Sequence, residues 1–160
     1  MRASSQTGFE DRAGFHAAVL QVLDCCRRSI MVADRDLSGW PFESAAGEAA
    51  LRAALHRGAR MRVLLHDCGW LERHGSRFMR VRRAAADRIE CRLLPDTLRI
   101  DDCALLGDRQ HLVHRAHPDT LAGRCAIAMP ALLENLQARL EAAWEESAPC
   151  LPSTILGLAR

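Results

Sequence analysis

Residues that can carry chemistry are concentrated in one stretch of the chain, residues 94–117, which reads LPDTLRIDDCALLGDRQHLVHRAH. This stretch holds four of the eleven aspartates and three of the seven histidines. A histidine that is oriented by a carboxylate acts as a general base or as a nucleophile. We therefore take His111, with Asp101 or Asp108 to orient it, as the candidate catalytic group.

The three histidines of this stretch, His111, His114 and His117, lie three residues apart. Neighbouring residues of a strand point to opposite faces of the sheet, so His111 and His117 would share a face that His114 does not. A zinc site needs ligands that converge on one ion. The spacing therefore favours exposed or hydrogen-bonded histidines, and we expect neither a metal ion nor a cofactor.

A second set of polar residues follows two short apolar runs. Asp34 and Asp36 come after the first run, and His66 and Asp67 come after the second. In open α/β sheets, ligands bind beyond the carboxyl ends of the strands. These side chains could hold Mg²⁺ around a phosphate, or the aspartates could cap the adjacent loops and helices. Both interpretations remain open, and capping is the simpler one.

Two tryptophans and several arginines flank these candidate sites. The rings of Trp40 and Trp70 could stack on a base or a sugar, or they could seal the edge of the core. Arg99, Arg109 and Arg115 lie in or beside the histidine-rich stretch and are candidates for contact with a phosphate.

The basic residues of the chain are all arginine, 22 in number, and there is no lysine. This excludes Schiff-base chemistry and P-loop phosphate binding, because both require a lysine side chain. The net charge is only +2, which argues against a strong overall field for nucleic acid. Seven arginines nevertheless lie between Arg73 and Arg92, and they form either a phosphate-binding surface or a solvated helix face.

Length and composition indicate one ordinary globular domain. At 160 residues the chain can bury a core, and no apolar run approaches the roughly 20 residues that cross a bilayer. The first eight residues lack the apolar segment of a signal peptide, so we expect seven reduced cysteines in a cytoplasmic protein with no membrane partner. We expect residues 1–8 to be disordered, residues 9–148 to form the domain and residues 149–160 to form an extended tail.

Hydrophobic periodicity predicts alternating helices and strands. Helices are predicted over residues 9–28, 44–57 and 70–86, and strands over residues 29–33, 61–65 and 89–93. A strand, a helix and a strand joined by short connections form a right-handed βαβ unit with parallel strands. Residues 97–114 then predict short antiparallel strands that turn at Asp101-Asp102 and near Gly107-Asp108-Arg109, before a last helix that follows Pro130.

Several segments, in this order, resemble one half of the phospholipase D superfamily. They are RGARMRVLL at residues 57–65, IDDCALLG at residues 100–107, and AIAMP at residues 126–130 before Trp144. The motifs DLSGWP, LLHDCGWL, HLVHRAH and PCLP are similar to those of a bacterial family of single-half relatives. The resemblance implies a three-layer α/β/α fold around a mixed sheet, and it implies that two copies form a homodimer.

The superfamily's reaction, as the resemblance implies it, uses a histidine nucleophile two residues before a phosphate-binding lysine. An aspartate follows that lysine after four intervening residues. Asp101 fits the aspartate, but the spacing then places Leu94 and Asp96 where the histidine and the lysine should stand. Counting from Asp102 gives Pro95 and Thr97 instead.

We therefore predict a non-catalytic phospholipase D-like domain. It would bind a phosphate-containing small molecule, a nucleic acid or a protein partner. The alternative is a phosphodiesterase or nuclease that uses the displaced His111 or a metal ion bound by the Asp34, Asp36, His66 and Asp67 cluster.

Overall fold

A computed structural model describes residues 2–152 of the chain. Within this range lie an eight-stranded sheet and five α-helices, so the α/β class is confirmed. The predicted extended tail is described only as far as residue 152, and residues 153–160 lie outside the described range. No helix in residues 2–152 has the length and apolar character that crossing a bilayer requires.

The sheet is mixed and has the strand order β1-β7-β6-β5-β2-β3-β4-β8. Strands β2, β3 and β4 are parallel, as the βαβ pattern predicts, and every other pairing is antiparallel. The strands are β1 (Ser5–Phe9), β2 (Ser29–Asp34), β3 (Arg60–Leu65), β4 (Ile89–Leu93), β5 (Cys103–Gly107), β6 (His111–Arg115), β7 (Gly123–Ile127) and β8 (Ala148–Pro149).

Helices cover both faces of the sheet, which gives the three layers. Along β2 the side chains of Ile30 and Val32 enter one hydrophobic core, and those of Met31 and Ala33 enter the other. This alternation is the period of two that a strand buried on both faces must have. The first core also contains side chains of α1 (Arg12–Cys25), α2 (Ala45–His56), α3 (Gly69–His74) and α4 (Ser76–Ala84), and the second contains those of α5 (Glu134–Glu146).

The first two helices begin where the local sequence supplies a cap. The Asp11 carboxylate accepts a hydrogen bond from the N–H of Gly14, and the Ser44 hydroxyl accepts one from the N–H of Gly47. Each bond satisfies a donor that the first turn of a helix leaves free.

The single helix predicted over residues 70–86 is wrong, because the chain breaks it at Gly75. A Cβ atom at Gly75 would lie 2.7 Å from the carbonyl oxygen of Leu71, so only glycine fits this approach. The second segment, α4, is capped from a distance. The Glu43 carboxylate accepts the N–H groups of Arg77 and Phe78.

The predicted disordered N-terminus is also wrong for part of its length. Strand β1 pairs antiparallel with β7, and the register matches Ser5 with Ile127 and Phe9 with Gly123. Four of its five residues are exposed, which is why no hydrophobic pattern indicated a strand. The segment is ordered by its main-chain pairing with the edge of β7.

The hairpin predicted within residues 97–114 has one turn and not two. Strands β5 and β6 are joined at residues 108–110, and Asp101-Asp102 precede β5 without forming a turn of the hairpin. We call residues 108–111 the turn end of the hairpin. The opposite end, where β5 begins at Cys103 and β6 ends at Arg115, is the open end.

Six of the seven cysteines are buried and Cys150 is partly exposed, and all seven are free thiols. Burial raises the pKa of Cys26 to about 12 and that of Cys91 to about 11. Such thiols behave as small hydrophobic residues.

Candidate functional site

The turn end of the hairpin is organised by Asp108. Asp108 and Arg109 both have left-handed backbone angles, with φ of 51° and 59°. The Asp108 carboxylate accepts hydrogen bonds from the main-chain N–H groups of residues 27, 28 and 29, at donor–acceptor distances from 2.7 to 3.2 Å. It therefore fixes the turn to the segment that joins α1 to β2, about eighty residues away in the chain. This aspartate has a structural role.

The predicted catalytic pair of His111 and Asp101 does not form. His111 pairs with Gly107 at the turn end, whereas Asp101 precedes Cys103 at the open end. A strand rises about 3.4 Å per residue, so the two groups are separated by about 13 Å or more. The hypothesis that these residues act together is wrong.

His111 is held in a structural role instead. It is buried, and its Nδ1 atom accepts a hydrogen bond from the N–H of Ala128 at 3.0 Å. Burial lowers the pKa of His111 below its ordinary value, although the nearby Asp108 carboxylate opposes this. Ala128 has φ of 55°, so this bond also supports a left-handed residue at the end of β7.

Arg109 is likewise absent from the open end. Its guanidinium lies at the turn end, 3.3 Å from the carboxylate of Glu141 on α5, and its side chain is 66% exposed. Of the three arginines proposed for phosphate contact, Arg109 is therefore misplaced, while Arg99 and Arg115 lie at the open end.

The open end joins the carboxyl ends of β2 and β3 to the start of β5. Because Ala33 pairs with Ala104, Asp34 lies beside Cys103, and Cys103 pairs in turn with Arg115 of β6. Asp34, Cys103 and Arg115 thus occupy adjacent positions on three neighbouring strands. Burial raises the pKa of the Cys103 thiol, and the Asp34 carboxylate raises it further, so the thiol stays protonated.

A polar cleft of about 410 Å³ opens at this end. The residues that matter for its chemistry are three arginines and two aspartates, with the half-buried Trp70 at one side. They are Arg12, Arg35, Arg115, Asp34 and Asp36.

Arg115 is the best-defined cation of this cleft. The residue is only 5% exposed, and its guanidinium lies 4.4 Å from the centre of the Phe15 ring. Its Nη1 atom donates to the carbonyl oxygens of Pro118 and Thr120. Its Nε–H has no hydrogen-bond partner, and no carboxylate of residues 2–152 lies within 4.0 Å of its guanidinium. A buried cation with an unused donor favours an anion.

The two aspartates of the cleft stabilise the loop that follows β2. Asp34 accepts the N–H groups of Leu37 at 2.8 Å and Asp36 at 3.2 Å, and Asp36 accepts both the N–H and the hydroxyl of Ser38. Leu37 has φ of 67°, so the loop needs this support. Asp67 behaves in the same way, because it accepts the N–H of Gly69 at the start of α3.

The predicted metal cluster is not assembled. Within residues 2–152, no three side chains of His, Cys, Asp or Glu are grouped so that they could hold one ion. The capping interpretation of these aspartates agrees with the structure.

A second, smaller cleft of about 300 Å³ adjoins the first and shares Arg35 and Pro118 with it. His66, Arg99, Asp101 and His117 line it. The Nε2 atom of His66 lies 2.9 Å from the carbonyl oxygen and 3.1 Å from the nitrogen of Ile100, so this imidazole positions the segment before β5. Arg99 is paired with Asp101 at 2.8 Å, and Arg35 lies 3.4 Å from Asp119.

Trp40 is not part of either cleft. It is 4% exposed, its ring stacks on Phe42 at 5.7 Å, and Phe15 meets its edge at 4.9 Å. Of the two interpretations of Trp40, stacking on a ligand is wrong, because a ring this deeply buried is closed to a base or a sugar. Trp40 seals the core.

Sequence reasoning missed Arg12 and Arg35. Arg35 lies between the two aspartates that were identified, and its position after a strand was a usable signal. Arg12 lies in the first turn of α1, and only the packing of that helix against the sheet brings it to the open end.

Several solved structures share this fold. Nuc of Salmonella typhimurium, a phospholipase D family member, superposes with a TM-score of 0.70 at 16% identity over 92% of this chain and 99% of its own. NucT of Helicobacter pylori gives 0.62 at 8% identity over 92% of this chain and all of its own. An archaeal chromatin protein, TrmBL2, gives 0.68 at 15% identity over 91% of this chain and 55% of its own. The fold is that of the phospholipase D family, as the resemblance predicted.

The sequence also matches the model of one particular protein family. Residues 11–153 match the family described as "Domain of unknown function (DUF7931)", and the chain belongs to it. No curated protein matches the sequence.

Proposed function

We propose that this chain is a non-catalytic phospholipase D-like domain that binds a phosphate-containing ligand in the clefts at the open end of the hairpin. The observation that carries the proposal is Arg115, a buried guanidinium with an unused Nε–H and no carboxylate partner in the described part of the chain. An arginine fork matches the oxygens of a phosphate, and it is more easily desolvated than an ammonium group. Arg12 and Arg35 add positive charge to the same cleft.

The position of the hairpin turn supports a binding role over catalysis. With the turn at Asp108, the superfamily spacing can be counted back from this aspartate. It then places Cys103 at the lysine position and Asp101 at the histidine position, and both lie at the open end. A carboxylate and a neutral thiol there supply neither a histidine nucleophile nor a cation for the phosphate. By this count, the positions that carry the superfamily's histidine and lysine fall at the open end, but the residues there cannot perform the same reaction.

The alternative phosphodiesterase now depends on a different histidine. His111 lies at the wrong end of the hairpin, whereas His117 lies at the open end and lines the smaller cleft. Its Nδ1 atom accepts the N–H of Asp119 at 3.1 Å. Hydrolysis of a phosphodiester that is lost in His117→Ala would favour this alternative.

Isothermal titration calorimetry with inorganic phosphate and with a thymidine dinucleotide tests the proposal. We expect at least one of these probes to bind, and Arg115→Met to weaken that binding at least tenfold. Arg109→Met is the matched control, because it removes the same group from the turn end, and it should leave the affinity unchanged. Failure of both probes to bind, equal loss in the two variants, or turnover of bis(4-nitrophenyl) phosphate would contradict the proposal.

The homodimer that the resemblance implies is part of this proposal. Leu121 lies at the open end, lines the larger cleft and is 44% exposed, as an interface residue would be. Light scattering on the purified chain should give the mass of two copies, and Leu121→Glu should give the mass of one.

A further inference from the structure

A separate cluster of arginines lies at the opposite edge of the sheet, where the parallel strands β2, β3 and β4 begin. We call it the amino-edge cleft. It has a volume of about 560 Å³. The arginines that line it are Arg28, Arg60, Arg62, Arg82 and Arg88. Because β2 and β3 are six residues long, this edge lies roughly 20 Å from the open end of the hairpin.

The charges of the amino-edge cleft are unbalanced. Arg62 forms a two-pronged ion pair with Glu141. The other four arginines have no carboxylate within 4.0 Å in residues 2–152. Asp87 and Glu90 also line the cleft, but the Glu90 carboxylate lies 2.7 Å from Nε of Arg92. Positive charge therefore remains in excess.

Arg82 shows that this is more than a solvated surface. The residue is 6% exposed, and its Nε–H has no hydrogen-bond partner among the described residues. Its Nη1 atom makes one long contact, 3.4 Å, with the carbonyl oxygen of Ala86. Burying a guanidinium whose Nε–H has no partner costs free energy, and a bound anion would offset that cost.

Two further arginines are held in position by the main chain. Arg60 donates through Nη1 to the carbonyl oxygen of Asp87, and Arg88 donates through Nη1 to that of Leu55. Each guanidinium has five N–H donors, so most of them remain available to a ligand. Arg60 begins β3 and pairs with Ser29, the residue after Arg28, so the two arginines lie close together where the neighbouring strands β2 and β3 begin.

The adjacent helical surface behaves differently. Glu48 lies 2.9 Å from Arg77, 3.1 Å from Arg52 and 4.0 Å from Arg80. There three arginines of α2 and α4 share one carboxylate. In residues 2–152, Arg28, Arg60, Arg82 and Arg88 have no such carboxylate beside them, which distinguishes the amino-edge cleft.

We infer that the amino-edge cleft binds the phosphate backbone of a nucleic acid, independently of the open end of the hairpin. Four guanidiniums, from one strand, one helix and two loops, exceed what one phosphate can engage, whereas successive phosphates of a nucleic-acid strand match several arginines. The contacts are to phosphate only, so binding would be insensitive to base sequence and strongly dependent on salt.

Fluorescence anisotropy with a labelled 20-nucleotide single strand of mixed sequence tests the inference, in a series from about 50 to 200 mM salt. The double variant Arg28→Gln with Arg60→Gln alters two exposed side chains and should not disturb folding. We expect it to weaken binding at least tenfold. We also expect the slope of the logarithm of affinity against the logarithm of salt concentration to fall by about two.

The matched control is Arg73→Gln with Arg83→Gln, which removes the same charge from exposed positions elsewhere, and we expect less than a twofold change. Arg115→Met separates the two sites. If Arg115→Met abolishes oligonucleotide binding while the Arg28 and Arg60 variant does not change it, the inference fails and the proposed function stands. The inference would also fail if the control variant weakened oligonucleotide binding as much as the Arg28 and Arg60 variant does. It would likewise fail if the protein bound anionic lipid vesicles through these arginines but did not bind the oligonucleotide.

Discussion

The two ends of the β5–β6 hairpin carry the same kinds of residue and use them differently. At the turn end, Asp108 accepts three main-chain N–H groups, His111 accepts the N–H of Ala128, and Arg109 pairs with Glu141. At the open end, the buried Arg115 keeps a donor without a partner in the described residues. The polar groups of the turn end are therefore engaged by the fold. At the open end Asp34 and Asp36 are engaged by the loop after β2, and Arg115 is the residue that retains an unused donor among the described residues.

Under the proposed function, this contrast accounts for a composition rich in catalytic residue types in a domain that binds a ligand without reacting with it. Aspartate and histidine are used for catalysis only where their hydrogen-bonding groups face a substrate. In the turn end those groups face the main chain of neighbouring segments. Whether a side chain is buried and hydrogen-bonded within the fold, more than its residue type, therefore decides whether it can be assigned a ligand-binding role.

The largest expected effect belongs to Asp108. Replacement by alanine removes a charged acceptor from three N–H groups, two of which water can reach, so Asp108→Ala should lower the free energy of unfolding by about 3 kcal/mol. Asp101→Ala, at the open end, should change it by less than about 0.5 kcal/mol, because the Asp101 carboxylate is half-exposed and pairs with the exposed Arg99. Urea denaturation measures both. A similar loss in the two variants would remove the distinction between the ends.

His111 should give the next largest loss. His111→Ala leaves the N–H of Ala128 without its acceptor and opens a cavity, which together should cost about 2 kcal/mol. His117→Ala, with its side chain 41% exposed, should cost less than about 0.5 kcal/mol. Thermal unfolding followed by circular dichroism compares them, and a larger effect at His117 would reverse the assignment.

The pH dependence of stability should also follow from His111. Burial lowers its pKa in the folded state, so the unfolded chain binds a proton more readily. The stabilisation is therefore complete above the unfolded pKa of about 6.5 and is lost as the pH falls below it toward the folded pKa. His111→Gln keeps an acceptor but does not titrate. A urea series between about pH 7.5 and 5 should show a shallower decline for this variant, and identical curves would contradict the prediction.

Asp102 should show a smaller, intermediate effect. Its carboxylate lies 2.8 Å from Nε2 of His114 and 3.0 Å from Arg139, and the side chain is 17% exposed. Asp102→Asn keeps the shape and one acceptor, so we expect a loss of about 1 kcal/mol. Differential scanning calorimetry measures it. If Asp102→Asn lowered the free energy of unfolding as much as Asp108→Ala does, the open end would be as important for stability as the turn end.

The main features of the fold were predictable because they follow from the hydrophobic pattern of short sequence segments. Strands β2, β3 and β4 are short apolar runs, and the polar residues that follow β2 and β3 do gather at one edge, as parallel strands require. The hairpin turn was not predictable in the same way. Asp101-Asp102 and Asp108-Arg109 are equally good turn sequences, and the choice depends on hydrogen bonds that the Asp108 carboxylate accepts from residues about eighty positions earlier.

The cation of the site was only partly predictable. Arg115 was identified from its place beside the histidines, but its burial against Phe15 and its unused Nε–H depend on how α1 packs on the sheet. The same packing brings Arg12 to the cleft and encloses Trp40. Such long-range contacts leave no periodic signal in the sequence.

The proposed binding of a phosphate group by Arg115 at the open end can be followed through the NMR signal of the Arg115 Nε–H. In ¹⁵N-labelled protein, that signal is the one that disappears in Arg115→Met. Titration with the thymidine dinucleotide should shift it in a saturable way, while the signal that disappears in Arg109→Met stays unchanged. An Arg115 signal that does not move, or one that moves no more than that of Arg109, would contradict the account.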